Sequence, residues 1–176
     1  MDEEDQNRLL RGYEQMLHRL REMMDHPDHL TRPHLRDALQ TAKAQSVELG
    51  ELSEEEADRI GNYLRRDLES AASFTSQGDE DLSGWLRMDL QLIEDWLWDQ
   101  FSKAADTTKL EFLNFQRGLI PAEVYTTGEV AGPGSLRCTN CGHMLQFERV
   151  GHIPVCPNCG NQEFMRPSAE TPDSPV

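Results

Sequence analysis

The four cysteines of this chain all fall in one stretch, CTNCGHMLQFERVGHIPVCPNCG, as Cys138, Cys141, Cys156 and Cys159. Each pair is a CxxC unit, and fourteen residues separate the pairs. A CxxC turn curls backbone amides around its first sulfur while both thiolates face one centre. Two such knuckles brought together supply a closed tetrahedral cage of four sulfurs. With thiolate at every corner, no position is left for water or substrate, so a metal held here is structural rather than catalytic. A redox dithiol is the poorer reading, because two matched knuckles are superfluous for thiol–disulfide exchange. The sulfur set accepts zinc or a rubredoxin-like iron, and the ligands alone leave those two open.

The flanking residues are suited to positioning these ligands. Gly142 and Gly160 follow the second cysteine of each knuckle, where the chain has to turn under the metal, and Pro157 stiffens the second knuckle. HMLQF and HIPV are expected to meet across ERVG as a hairpin, with Leu145, Phe147, Val155 and Phe164 as its core. So few apolar residues do not hold a segment of about 30 residues folded. Metal binding, worth roughly 10–16 kcal/mol in comparable peptides, does. Upstream, GEVAGPGSLRC has the composition of a flexible hinge.

Ahead of that hinge the chain has helical periodicity. Leu9, Tyr13, Met16, Leu20 and Met23 step by four and three, and Leu10, Leu17 and Met24 widen the stripe. The stepping resembles a coiled-coil seam. HPDHLTRP interrupts it. A second helix carries Leu35, Leu39, Ala42 and Leu49 and is ended by Gly50. A third opens with a capping box, Ser53 with Glu56, and carries Ala57, Ile60, Leu64, Leu68 and Ala71. Leu82, Trp85, Leu86, Leu90, Ile93, Trp96, Leu97 and Phe101 predict a fourth, and Asp106 or Thr108 caps a fifth. The expected fold is mainly α: an elongated antiparallel, coiled-coil-like helical body with a small carboxyl-terminal ribbon. Its divisions are a body over 1–122 (helices at about 5–25, 33–49, 53–74, 82–105 and 107–118), a glycine-rich hinge over 123–135, a ribbon over 136–167 and a disordered tail over 168–176.

The run YTTGEVAGPGSLRCTNCG followed by CPNCGNQEFMRP resembles the carboxyl-terminal signature of a bacterial zinc-ribbon family, the one that includes the enterobacterial YbeL protein. GELSEEE running into YLRRDLE is similar to that family's central helical hairpin. The resemblance extends from about residue 6 to Pro167. It implies one structural zinc per chain at Cys138, Cys141, Cys156 and Cys159, and it implies no particular activity.

Charge narrows the functional classes. The chain has 176 residues, with 32 acidic against 17 basic, a formal charge of −15. The three basic and six acidic residues after position 122 account for −3, so the excess lies in the helices. Such a chain is repelled by phosphate backbones and anionic lipid, so neither direct nucleic-acid binding nor membrane association is expected. Arg137, Arg149 and Arg166 form no basic stripe against Glu148, Glu163 and a tetrathiolate centre. No apolar run reaches the length of a membrane span. The acidic start MDEEDQ is unlike a secretory signal, which points to the cytoplasm.

Other candidates yield to plainer readings. His26, His29 and His34 with Asp25 and Asp28 lie in a proline-broken loop that disfavours convergence. His143 and His152 are expected at the ribbon surface. Trp85 and Trp96, eleven apart, are expected in the core, with Trp98 pointing elsewhere. The acids of SEEEAD complement a helix dipole. No nucleophile motif or phosphate loop is present. The sequence therefore predicts a non-enzymatic interaction or adaptor protein with protein partners, including its own copies. A regulator docked on the transcription or translation machinery through protein contacts is the alternative, and a rubredoxin-like electron carrier the second.

Overall fold

Burial sorts the helical residues along the three-and-four stepping of the sequence. A computed structural model of the chain describes residues 3–24, 35–76, 95–114 and 124–166. Helix α1 (Glu3–Met24) buries Leu9, Tyr13, Met16, Leu17 and Leu20, with Leu10 and Met23 at the edge of the core. Helix α2 (Leu35–Glu48) buries Leu35, Ala38, Leu39, Ala42 and Ser46. Helix α3 (Glu54–Ser76) buries Ala57, Ile60, Leu64, Leu68 and Ala71. Helix α4 (Asp95–Asn114) buries Leu97, Phe101, Ala104 and Ala105. Burying each large apolar side chain contributes roughly 1.5–3 kcal/mol, which short isolated helices lack.

The helices close into a bundle. Helix α1 packs on α2, α3 and α4, and α3 packs on α2 and α4. These contacts do not bear out the coiled-coil-like elongation expected from the seam. The weak stripe of α2 is what permits closure, because Ala38 and Ala42 are small and fully buried, letting neighbouring backbones approach. Leu49, expected on that stripe, lies past the helix end and is exposed.

Local signals set the α2–α3 corner. Gly50 adopts φ +69°, and its N–H donates to Val47 O while Glu51 N–H donates to Ser46 O, closing off α2. Ser53 N–H donates to Glu56 Oε2 at 2.9 Å and Glu56 N–H to Ser53 Oγ at 3.3 Å, which is the predicted capping box. Arg19 of α1 clasps the corner, donating to both Glu51 carboxylate oxygens (2.7 and 2.8 Å) and to Ser46 Oγ.

Two predicted boundaries shift. Helix α4 runs through Asp106 and Thr108 without a break, because neither proline nor glycine interrupts it. The stretch expected as a hinge is ordered sheet. Strands β1 (Tyr125–Thr126), β2 (Val130–Ala131) and the start of β3 (Gly134–Cys138) lie in it. With β4 (Met144–Phe147), β5 (Gly151–His152) and β6 (Glu163–Met165), they form a four-stranded sheet of order β1-β6-β3-β4 and a two-stranded sheet, β2-β5. The expected pairing of HMLQF with HIPV does not occur. The first knuckle is itself the tight turn, so β4 folds back on β3, with Leu145 opposite Leu136, while β5 pairs with β2. The ribbon core is Tyr125, Ala131, Leu136, Phe147, Ile153 and Phe164, with Leu145 packed against it. Val155, expected in that core, is exposed.

Candidate metal centre and the network that docks it

Strand β3 delivers Cys138, the turn after it Cys141, and the matching turn before β6 brings in Cys156 and Cys159. Each knuckle closes in the same way. Gly142 N–H donates to Cys138 O and Gly160 N–H to Cys156 O, with φ +73° and +74°, a left-handed conformation that disfavours any side chain. Cys138 Sγ lies 3.6 Å from Cys159 Sγ, and Cys141 Sγ 3.6 Å from Cys156 Sγ. All four sulfurs lie within 4.8 Å of one another. A metal–sulfur bond of about 2.3 Å sets the tetrahedral edge at about 3.8 Å. The sulfur set therefore fits a single tetrahedral metal ion.

The environment favours thiolate at two of these positions. Burial pushes the Cys138 thiol up, but the N–H groups of Cys141 and Asn140 and the Asn161 amide outweigh it and bring it down to about 6. The Asn158 side chain and the His143 amide lower Cys141. Cys156 goes the other way, raised to about 11 by burial. A bound divalent cation would hold such a thiol deprotonated. Asn161 ties the second knuckle to the first, donating to Thr139 Oγ1 and Glu163 O at 2.9 Å and to Cys138 Sγ at 3.5 Å.

Below the metal site, the ribbon is held on the bundle by a buried polar network that nothing in the sequence analysis anticipated. Asp67 of α3 is fully buried. It accepts from Tyr13 Oη and Tyr125 Oη, each at 2.7 Å, from Gly132 N–H at 2.7 Å, and from Arg166 Nη2 at 3.2 Å. Arg166 also donates to the carbonyls of Gly132, Pro133 and Ser135. Burial first, then the Asp67 charge, holds both tyrosine hydroxyls above their ordinary pKa, so they remain donors. Beside them, Arg66 pairs with Glu129 at 2.5 Å and lies 3.7 Å over the Tyr125 ring. A signal for Asp67 was present in the sequence: it lies between Leu64 and Leu68, an acid within an apolar stripe.

The remaining candidates separate. Arg166, considered as a surface cation, is buried in this network, which leaves Arg137 and Arg149 nearer the surface. His143 is exposed as expected. His152 is half-buried, its ring 3.2 Å from both Gly128 O and Gln6 O, and so bridges to α1. Trp96 is 44% exposed and Trp98 packs on the core, the reverse of the expectation. At about 100° per residue, the face set by Leu97, Phe101, Ala104 and Ala105 is centred nearer Trp98 than Trp96. Trp85 and the 25–34 cluster lie outside the described residues. Among the described residues, the four cysteines are the one convergent group of metal-ligating side chains. An open cleft of about 610 Å³ between α1 and Arg149–Val150 is lined by charges of both signs. No described helix is long and apolar enough to cross a membrane.

Among the described residues, four packed helices carrying a two-knuckle, four-cysteine sheet module define a helical ribbon protein whose cysteines are placed to hold a metal. The chain belongs to the zinc-ribbon containing domain family, which it matches over residues 22–168. It is 32% identical over 131 residues to a protein of Escherichia coli K12 named "Uncharacterized protein YbeL", covering 74% of this chain and 81% of that one. The same-named protein of Escherichia coli O157:H7 matches equally. No solved structure matches this chain.

Proposed function

We propose that this is a non-enzymatic interaction protein whose ribbon is folded by one structural zinc per chain, held by Cys138, Cys141, Cys156 and Cys159. The observation that carries the reading is the closed sulfur set: four thiolate donors occupy every corner of a tetrahedron of fitting size, so the ion has a scaffold role. The family's zinc-ribbon character supports zinc over iron. The zinc offsets half of the thiolate charge and fixes both knuckles. The exposed knuckle residues, among them Thr139, Asn140, Pro157 and Asn158, then form a rigid tip that a protein partner contacts. At −15, this chain suits a basic protein surface better than nucleic acid. The reading also keeps the chain in the reducing cytoplasm, where thiolates persist.

Metal analysis of freshly purified, reduced protein tests the first half. One zinc per chain and no colour are expected, and a red protein with thiolate-to-iron absorption overturns it. Photo-crosslinking in cells from position 140 or 158 tests the second. A discrete, nuclease-resistant protein adduct is expected, and adducts that vanish with nuclease overturn it.

A further inference from the structure

Strand β6 joins the metal site to the docking network. Cys138 on β3 pairs with Phe164 on β6, and Phe164 pairs in turn with Tyr125 on β1. Two residues past Phe164 the same chain delivers Arg166 into the bundle, where it meets Asp67. Tyr125 Oη donates to Asp67 Oδ1, the same oxygen that Arg166 Nη2 meets, and accepts from Arg166 Nε at 3.3 Å. The side chains of Arg166 and Asp67 are 4% and 0% exposed, so neither charge has water to fall back on. A buried carboxylate is tolerated only while it is paired and hydrogen-bonded. Arg166, Tyr125 and Gly132, three of its partners, belong to the metal-dependent module.

We infer that the Asp67–Arg166 contact is a metal-gated latch: metal in the ribbon keeps Arg166 and Tyr125 seated on Asp67, and metal loss releases the ribbon and opens the face of α1 and α3 around Tyr13 and Asp67. The inference rests on the metal-binding reading above. Without the metal, β3 and β6 lose the tie that holds them in register, because the ribbon's apolar core is too small to hold it. Asp67 then loses its cation and hydrates, drawing the covering strands off the bundle. Linkage makes the effect reciprocal, so breaking the latch weakens metal binding by the same factor that metal strengthens docking.

The test uses the full chain, reduced throughout, with hydrogen exchange followed before and after a chelator removes the metal. Faster exchange is expected in the ribbon and also in the α1 and α3 segments around Tyr13 and Asp67, with far less change in α2. Arg166→Met should retain one metal per chain but bind it on the order of tenfold more weakly by chelator competition. If that variant does not fold, Tyr125→Phe, which deletes a single hydroxyl, reads the same coupling in smaller measure. A chain that takes up metal, yet whose α1 and α3 exchange is unchanged by chelation, overturns the latch alone. A reduced chain that binds no metal overturns the metal reading and the gating with it.

Discussion

Adding one methyl group at Gly132 puts the docking geometry under direct strain. A Cβ built there lies 2.6 Å from Tyr13 Oη, 3.3 Å from Asp67 Oδ2 and 3.4 Å from Tyr13 Cζ. Tyr13 has no room to yield, since it is fully buried and its hydroxyl is bound to Asp67. Either the Tyr13–Asp67 bond breaks or the Gly132 N–H leaves the carboxylate. Overpacking costs about 1–3 kcal/mol, and a hydrogen bond to a charged group is worth about 1.5–3 kcal/mol. Gly132→Ala should therefore cost about 3 kcal/mol, lowering Tm by roughly 6–12 °C in a chain of this size. Tyr13→Phe removes the clashing oxygen at the cost of its hydrogen bond. The two substitutions together should then cost little more than Tyr13→Phe alone, a coupling of about 2 kcal/mol in urea melts. Strict additivity, or a Gly132→Ala protein as stable as the parent, would refute the contact. Gly12→Ala is a useful contrast, because the nearest atoms to its new methyl are Leu52 Cδ2, Cδ1 and Cγ at 2.8, 2.9 and 3.2 Å, an apolar side chain with no hydrogen bond to lose.

Three further outcomes follow from the helical body. Hydrogen bonding from the Ser53 N–H, then from Arg8, holds the Glu56 carboxyl down at about 2 against an ordinary value of 4.5. Because the folded pKa lies below the unfolded one, this stabilisation is present above 4.5 and is lost as pH falls toward 2. Glu56→Gln should thus lower stability at neutral pH, and its difference from the parent should shrink across that window in pH-dependent melts. Leu17→Asp or Leu20→Asp places a carboxylate at a fully buried site and should cost more than about 3 kcal/mol, whereas Leu49→Asp should stay within about 0.5 kcal/mol, all read by circular dichroism. Ser53→Ala should cost about 1 kcal/mol through the lost cap, measured by urea denaturation.

Legibility in the sequence followed how local each signal is. The two CxxC turns, the Gly50 stop, the Ser53–Glu56 cap and the stripes of α1 and α3 depend on spacings of a few residues, and each turn, cap and stripe lies where its spacing places it. Strand pairing depends on residues far apart in sequence. Val130–Ala131 meeting Gly151–His152 had no short-range marker, and glycines that allow close docking were indistinguishable from glycines that permit a hinge. Trp96 and Trp98 were exchanged because the buried face of α4 is set by Leu97, Phe101 and the small Ala104 and Ala105, which a search for large apolar residues underweights. Arg166 was counted as a surface charge because its partner lies ninety-nine residues upstream.

That separation has a consequence for how the protein is made. Synthesis proceeds from the amino terminus at roughly 5–20 residues per second, so Asp67 leaves the ribosome roughly 5–20 s before the arginine that neutralises it. During that interval the nascent helices can gather, but the face bearing Tyr13 and Asp67 stays hydrated. The last turn of translation through the ribbon is therefore also the step that gives the bundle's buried carboxylate its Arg166 partner, and chains cut before position 166 lack it.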